Sequence, residues 1–285
     1  MDRALTRRLL LASAPAAALG AFLLDPGPAD AEDSTAEGLP SLPLEYPSQE
    51  PSRVREMVGV SHGNLERVRE LVTAQPELAK AVWDWGFGDW ETALGAASHV
   101  GHREIAELLI DNGARPDLFT SAMLGQLDAV RAIVAARPGI QRQHGPHGIT
   151  LLAHARAGGE QAAAVVRFLE QLGDADRRYR DDPLAETERS ALLGIYAFGS
   201  APADRFEVAL DRRGDLILRR GDGTPRVLYH QGDREFHPAG APSARIRFEV
   251  GPVADDGALV LPAVALTIHN PDLVVRAERV VAVDR

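Results

Sequence analysis

The chain has 285 residues, which is long enough for two domains, and a formal net charge of −10 at pH 7. This acidic balance disfavours binding to a phosphate backbone, and we expect no nucleic-acid partner. The sequence contains no cysteine, which excludes disulfides, thiolate metal ligands and a cysteine nucleophile.

The N-terminal segment has the three regions of a secretory signal. Its start is basic, residues 9–24 are apolar, and residues 29–31 read Ala-Asp-Ala, an A-x-A cleavage pattern. Arg7 and Arg8 before the leucines resemble a twin-arginine export signal. The apolar run is shorter than the ~20 residues of a spanning helix, which favours cleavage over a retained anchor. We therefore predict a signal peptide over residues 1–31, a periplasmic or secreted protein, and no membrane contact beyond that signal.

Residues 32–51 are rich in Pro, Ser and Glu without a period, and they predict a disordered linker. From residue 52 to residue 176 a helical pattern repeats. In four segments, small residues precede a glycine, and polar residues and an apolar i, i+3, i+4 stripe follow it. The glycines are 38, 24 and 34 positions apart, and periods near ~33 are typical of stacked helical hairpins. They are Gly63, Gly101, Gly125 and Gly159.

The segment ETALGAASHVGHREIAELLIDNGA, residues 91–114, resembles the ankyrin repeat family. It has that family's threonine-led first helix, Gly-His turn and second helix. Thr92 and Thr150 stand where the family has its capping threonine, whose hydroxyl accepts a backbone N–H. The resemblance implies an ankyrin repeat domain over residues 52–176. The third segment is short and lacks the threonine, which leaves open whether a β-hairpin finger precedes it.

Residues 177–190 are charged and polar and predict a linker or a capping helix. From residue 191 to residue 285 the hydrophobic period changes to two, and about seven short strands with hairpin turns predict a small barrel or sandwich. The Gly-Ile-Tyr start at residues 194–196 and the spacing of the phenylalanines resemble the small β-barrel behind the catalytic domain of penicillin-binding-protein-like serine hydrolases. That accessory domain carries no catalytic residue. The predicted fold class is α+β and multidomain: an ankyrin-like α-solenoid of about four helical hairpins, then a small antiparallel β barrel or sandwich.

Three patterns could carry chemistry, and we interpret each as structural. Residues 59–63 spell G-x-S-x-G around Ser61, but they follow a helical segment rather than the strand that a nucleophile elbow needs. Two H-x-x-H pairs, at residues 99–102 and 144–147, lack a further ligand at zinc-site spacing. Asp255-Asp256 and residues 221–223 lack the ligand series of a calcium loop. We therefore expect no catalytic residue, no metal ligand and no cofactor.

The remaining prediction is recognition of a protein or peptide by the concave face and finger of the repeats. Aromatic side chains crowd the segment before Thr92, and apolar residues occupy outward helix positions, as expected of a binding patch. An end-cap role for the tryptophans and intramolecular docking of the β domain on the repeats remain alternatives. The predicted partner-binding residues are Trp83, Trp85, Phe87, Trp90, His62, His99, Val100, Met123 and Leu124.

The predicted function is that of a non-enzymatic, exported protein-binding module. Two alternatives remain. The β domain could bind a small apolar ligand or a cell-envelope fragment, and a barrel filled by side chains would argue against it. A serine hydrolase acting through Ser61 is the other, less favoured alternative.

Overall fold

The computed structural model of the protein describes residues 45–250 and 261–280. The predicted signal peptide, most of the predicted linker and the Asp255-Asp256 pair lie outside the described residues. In the described ranges, no helix is long and apolar enough to cross a membrane.

Helices fill the first part of the described chain, in four consecutive pairs followed by one single helix. The pairs are α1 (Pro51–Val60) with α2 (Leu65–Ala74), α3 (Ala93–Val100) with α4 (Arg103–Asp111), α5 (Leu118–Met123) with α6 (Leu127–Ala136), and α7 (Leu151–Ala157) with α8 (Ala163–Leu172); the single helix is α9 (Glu186–Leu192). Short 3-10 helices span Pro76–Lys80, Ile140–Arg142, Pro146–Gly148, Gly159–Ala162 and Pro202–Asp204.

Side-chain caps define where the first helices of the second, third and fourth pairs begin. The Thr92 hydroxyl accepts the Gly95 N–H at 2.8 Å, and the Thr150 hydroxyl accepts the Ala153 N–H at 3.2 Å. The third pair, whose sequence lacks the threonine, is capped by Asp117 instead. Each cap satisfies a backbone donor that the helix start leaves free.

Close packing of the repeats depends on Gly101. Its φ is +78°, and an added Cβ would lie 2.1 Å from the carbonyl oxygen of Ala157, at the end of α7. Both the left-handed conformation and the close approach exclude a side chain here. The stripes of the second helices, which contain Val68, Ile105 and Leu109, are fully buried in the core of the repeats.

Two connections between the repeats lie at finger positions. A β-hairpin of β1 (Val82–Asp84) and β2 (Trp90–Thr92) precedes α3, and the Pro146–Gly148 turn, closed by a bridge between His144 and Thr150, precedes α7. Residues 112–117, before α5, contain no strand. The structure thus gives the third pair no hairpin finger.

The C-terminal part is a closed antiparallel barrel of eight strands. They are β3 (Gly194–Ala197), β4 (Arg205–Leu210), β5 (Leu216–Arg220), β6 (Arg226–Gly232), β7 (Glu235–Pro238), β8 (Arg245–Val250), β9 (Ala263–Asn270) and β10 (Leu273–Arg279). Neighbours in sequence pair throughout, and β10 closes the barrel on β3. The strand missing from the sequence prediction is β3, in which only Tyr196 is buried, so that it shows no alternation of buried and exposed residues.

The start of β3 fixes one end of the barrel. Tyr196 is fully buried in the barrel core, and its hydroxyl donates to the carbonyl of Leu192 at 2.7 Å. Leu192 ends α9 and is part of the barrel core, so this helix packs on the barrel. The segment before α9 also follows the barrel, because the Asp181 carboxylate accepts the His230 N–H at 2.9 Å.

Candidate metal centre

Four side chains from four separate elements converge on the finger side of the repeats. His62 follows the end of α1, Glu91 lies in β2, His99 lies in the last turn of α3, and His147 lies in the Pro146–Gly148 turn. One ligand atom from each residue lies within 4.8 Å of those from the other three. We call this group the histidine–glutamate cluster.

The distances within the cluster suit a metal ion. His99 Nε2 lies 3.0 Å and His147 Nε2 lies 3.3 Å from Glu91 Oε1, and His62 Nε2 lies 3.5 Å from Glu91 Oε2. Zinc bonds of about 2.0–2.1 Å to nitrogen and oxygen place the ligand atoms of a tetrahedral site about 3.3 Å apart. The observed distances scatter around that value.

Two buried atoms of the cluster face each other. Glu91 Oε1 and His99 Nε2 lie 3.0 Å apart, but not in the alignment of a hydrogen bond. Glu91 is fully buried, and the His99 side chain is only 10 % exposed. Buried polar atoms without an aligned partner are costly, and a cation bound by both atoms would satisfy them.

Outer contacts orient the rings so that Nε2 faces Glu91. His62 Nδ1 lies 3.0 Å from the carbonyl oxygen of Gly59, and His147 Nδ1 lies 2.7 Å from Asp89 Oδ2. In a neutral imidazole, an Nδ1–H that donates to these oxygens leaves Nε2 with its lone pair, as in metal-binding histidines. A metal ion that binds His147 would displace the proton that Nε2 otherwise carries. Trp85 Nε1 donates to Glu91 Oε2 at 2.7 Å and fixes the carboxylate in the same way.

The barrel supports the cluster through Asp89. Arg226, at the start of β6, pairs with Asp89 Oδ2 and donates to the Ala239 carbonyl. Asp89 also accepts the backbone N–H of His147 at 2.9 Å. Asp89 and Arg226 are both buried, which makes this a charged link between finger and barrel with little solvent screening.

The buried charges compensate one another. Burial by itself would raise the pKa of Glu91, but the imidazoles of His147 and His99 beside it lower that pKa to about 2. Burial opposes protonation of His147, but the Asp89 and Glu91 carboxylates outweigh it and raise the pKa of His147 to about 9. The site therefore offers a carboxylate in a field that favours positive charge, whether a proton or a metal ion supplies it.

The sequence analysis named His62 and His99 as partner-binding and assigned no metal ligand. Neither H-x-x-H pair acts as a unit, because only one histidine of each pair, His99 or His147, belongs to the cluster. His144 lies away from the cluster, with Nε2 2.7 Å from the Arg177 carbonyl oxygen, and His102 precedes α4. The useful signal was repeat position, because His62 and His99 both stand just before the turn glycine of their helices.

The predicted aromatic finger folds onto the molecule for most of its length. Trp83 and Trp85 pack partly buried against the core of the first repeats, and Phe87 packs against the barrel core. Trp90 is 62 % exposed. Strand alternation explains the difference, because Trp83 and Glu91 share the inner face of the hairpin and Trp90 lies on its outer face.

The other predicted contact and candidate residues divide by burial. Val100 is exposed, Leu124 is partly buried, and Met123 is fully buried and offers no surface to a partner. Ser61, the centre of the G-x-S-x-G pattern, is fully buried, and its hydroxyl donates to the Met57 carbonyl at 2.7 Å. This position favours the structural interpretation of that pattern, because a nucleophile must reach its substrate.

The fold and site define an α+β protein with paired helices, an eight-stranded antiparallel barrel and a histidine–glutamate cluster at the hairpin that joins them. The ankyrin repeat family model matches residues 89–121. This stretch contains Glu91 and His99, and it confirms the resemblance on which the repeat interpretation was based.

Comparison with solved structures gives only distant matches. A crystal structure of SurE and one of SurE with D-Leu have TM-scores of 0.25 and 0.24, both at 23 % sequence identity. Each match covers 45 % of this chain and 28 % of the other, so the chain spans about a quarter of their length. Matches at this level carry no argument about function. No curated protein matches the chain.

Proposed function

We propose that the histidine–glutamate cluster binds one divalent transition-metal ion, with zinc as the expected ion, and that the protein is a metal-stabilised binding module. The observation that carries the proposal is the convergence of three imidazole Nε2 atoms on a fully buried carboxylate. Imidazole nitrogens favour zinc, copper, iron and nickel, whereas calcium and magnesium prefer oxygen ligands. Three nitrogens and one oxygen therefore exclude the hard cations as the main occupant.

The number of protein ligands supports a structural role for the ion. Catalytic zinc sites keep a position open for water or substrate, and structural sites use four protein ligands. Here His62, Glu91, His99 and His147 complete a four-ligand set. They come from the end of one helix, a hairpin strand, a second helix and a distant turn, so one ion would tie three repeats together.

Metal content and coordination test the proposal directly. The protein is purified without a histidine tag, stripped with a chelator and titrated with zinc, and with Co(II) as a spectroscopic substitute. We expect one equivalent per chain, a visible Co(II) absorption band of a four-coordinate site, and an increased thermal transition temperature, because a ligand that binds only the folded state stabilises it.

A matched pair of histidine variants sharpens the test. His99→Ala removes a ligand, whereas His102→Ala, in the same H-x-x-H pair, removes a histidine outside the cluster. We expect His99→Ala to abolish the Co(II) band and the thermal shift, and His102→Ala to preserve both. A folded wild-type protein that binds less than a tenth of an equivalent, or equal losses in both variants, would overturn the proposal.

The ankyrin repeat suggests a protein-interaction module. We place the partner contact on the outer face of the hairpin, where Trp90 and Val82 remain exposed while the inner residues are engaged within the chain. Exposed tryptophan is a frequent energetic centre of interfaces. Cross-linking from residue 90 in cells, compared with residue 83 on the inner face, tests this: equal yields at both positions would oppose it.

The predicted export signal adds a cellular setting to the proposal. Twin-arginine signals carry folded proteins, so the ion could be inserted before export. Replacement of Arg7 and Arg8 by lysine should retain the protein in the cytoplasm, as measured by cell fractionation. Unchanged periplasmic recovery would count against this route.

A further inference from the structure

We propose that the barrel mouth next to the finger binds a single-chain anionic amphiphile of the fatty-acid class. A cavity of about 580 Å³ opens there. Pockets that hold small molecules have volumes of about 300–1,000 Å³. None of the four cluster residues lines the cavity. Trp85 and Arg226 do line it, and both also contact carboxylates at the metal centre, so the two sites are neighbours.

Strand ends and the finger together form the cavity. Strand pairing places Phe206 opposite Arg220, and Leu273 opposite Asn270, at one mouth of the barrel. The other mouth is the one covered by α9. Trp85, Gly86 and Phe87 from the hairpin loop contribute one wall. The finger therefore narrows the mouth without filling it.

The walls suit a hydrocarbon chain. Apolar and aromatic side chains at and beside the strand ends line this mouth, so a hydrocarbon chain bound there would leave water. These side chains are Phe198, Phe206, Leu218, Ile268, Leu273 and Val275. The barrel interior is filled by Tyr196, Phe236 and Ile246, so the chain would occupy the mouth and not the interior.

The charges of the lining have one sign. Arg220 and Arg226 line the cavity, and no carboxylate does. Arg220 lies over the Phe198 ring at 5.3 Å and donates from Nε to the Ala203 carbonyl, with no carboxylate partner within salt-bridge distance among the described residues. Such a guanidinium at the rim of an apolar cavity favours an anionic head group.

Arg226 provides a second, buried hydrogen-bond donor at the cavity. It is only 6 % exposed, and its Nε has no hydrogen-bond partner in the described parts of the chain, although its other nitrogens contact Asp89 and Ala239. An acceptor on the ligand would satisfy this donor. A purely hydrocarbon ligand would leave it unpaired, and a cationic amphiphile would be repelled by Arg220, since Asp89 already compensates the charge of Arg226.

Calorimetric titration of the full chain tests the proposal with three probes of equal tail. They are dodecanoate, dodecanol and dodecyltrimethylammonium, each used below its aggregation concentration. We expect dodecanoate to bind with a stoichiometry of one per chain. The alcohol and the ammonium should bind at least about tenfold more weakly, the loss expected for one charge-assisted contact.

Three variants separate head-group recognition from tail burial. Arg220→Gln should weaken dodecanoate about tenfold and leave dodecanol unchanged. Val275→Phe, at a half-buried position of the wall, should weaken all probes that bind. Arg219→Gln is the matched control, because the Arg219 side chain pairs with Glu207 and does not line the cavity.

Three outcomes of these titrations would overturn the proposal. No dodecanoate binding by folded wild-type protein overturns the proposal, and so does equal affinity for the three probes. Equal weakening by Arg219→Gln and Arg220→Gln also overturns it, because the head group would then sense only the overall charge. Circular dichroism of each variant establishes that it is folded before titration.

Discussion

The two halves of the described chain treat buried charge differently. The barrel core is formed by Tyr196, Phe236, Ile246, Leu266 and similar side chains, with its arginines near the two ends. The repeats instead bury Asp89 and Glu91 at the base of a hairpin. Burying a carboxylate is costly unless a partner compensates it, so a fold that retains two such groups at one place has a use for them. Among the described residues, the buried carboxylates are therefore concentrated at the hairpin.

The largest expected effect tests the buried carboxylate of the repeats. Glu91→Ala removes the fully buried group around which three imidazoles gather. Removal of one member of a buried charge group costs about 3–5 kcal/mol, so we expect a loss of that size in the free energy of unfolding. Urea denaturation measures it. A loss below about 1 kcal/mol would mean that the carboxylate contributes little to the fold.

The second-largest loss of stability is expected when the ion pair between the hairpin and the barrel is broken. Arg226→Met leaves Asp89 buried without its cation, and we expect about 3 kcal/mol of destabilisation. Because Asp89 orients His147, zinc affinity should also fall about 10–100-fold. Competition with a fluorescent zinc chelator measures that affinity. Unchanged affinity with reduced stability would show that the link serves packing alone.

Substitution of two glycines separates the energetic cost of a steric clash inside the repeats from the cost of backbone strain alone. Gly101→Ala brings a Cβ against the Ala157 carbonyl at a positive φ, and we expect a cost of more than about 2 kcal/mol. Gly113→Ala has a φ of +90° but open space around the new Cβ, so only the conformational cost of about 1 kcal/mol remains. Thermal denaturation of both variants separates the two costs, and equal shifts would refute the close-packing argument.

The smallest effect is expected on the outer face of the hairpin. Trp90→Ala removes a side chain that is 62 % exposed, and the stability should change by less than about 0.5 kcal/mol. Phe87→Ala, in the same hairpin but packed against the barrel core, should lower it by more than about 1 kcal/mol. Calorimetric melting of the two variants tests whether the outer face is free for a partner.

Local patterns predicted the elements well. Thr92 and Thr150 cap helices as expected, and the runs of period two became strands of the barrel. The third repeat, which lacks the threonine, is capped by Asp117 instead. The prediction missed β3, in which only Tyr196 is buried. The number of strands came out one too low for this reason.

The candidate site was the harder inference. The sequence placed His62 and His99 on one face, because both precede the turn glycine of a first helix. It gave no reason to add Glu91, which stands among tryptophans, or His147, which lies in a Gly/Pro loop with a left-handed φ of 60°. The H-x-x-H motifs drew attention to histidines three positions apart. The histidines of the cluster instead come from different repeats.

By itself, the sequence determined the helical repeats, the change to a β domain and the excess of aromatic residues in one finger, because period, caps and turns act over a few residues. Only the tertiary structure decided which face of that finger lies inward. Stacking of the repeats brought residues 62, 91, 99 and 147 together, and closure of the barrel brought Arg226 to Asp89. Apart from the contact between Glu91 and His99, which are neighbours in one repeat, these contacts join residues 29 to 137 positions apart, and no local pattern encodes such distances in the chain.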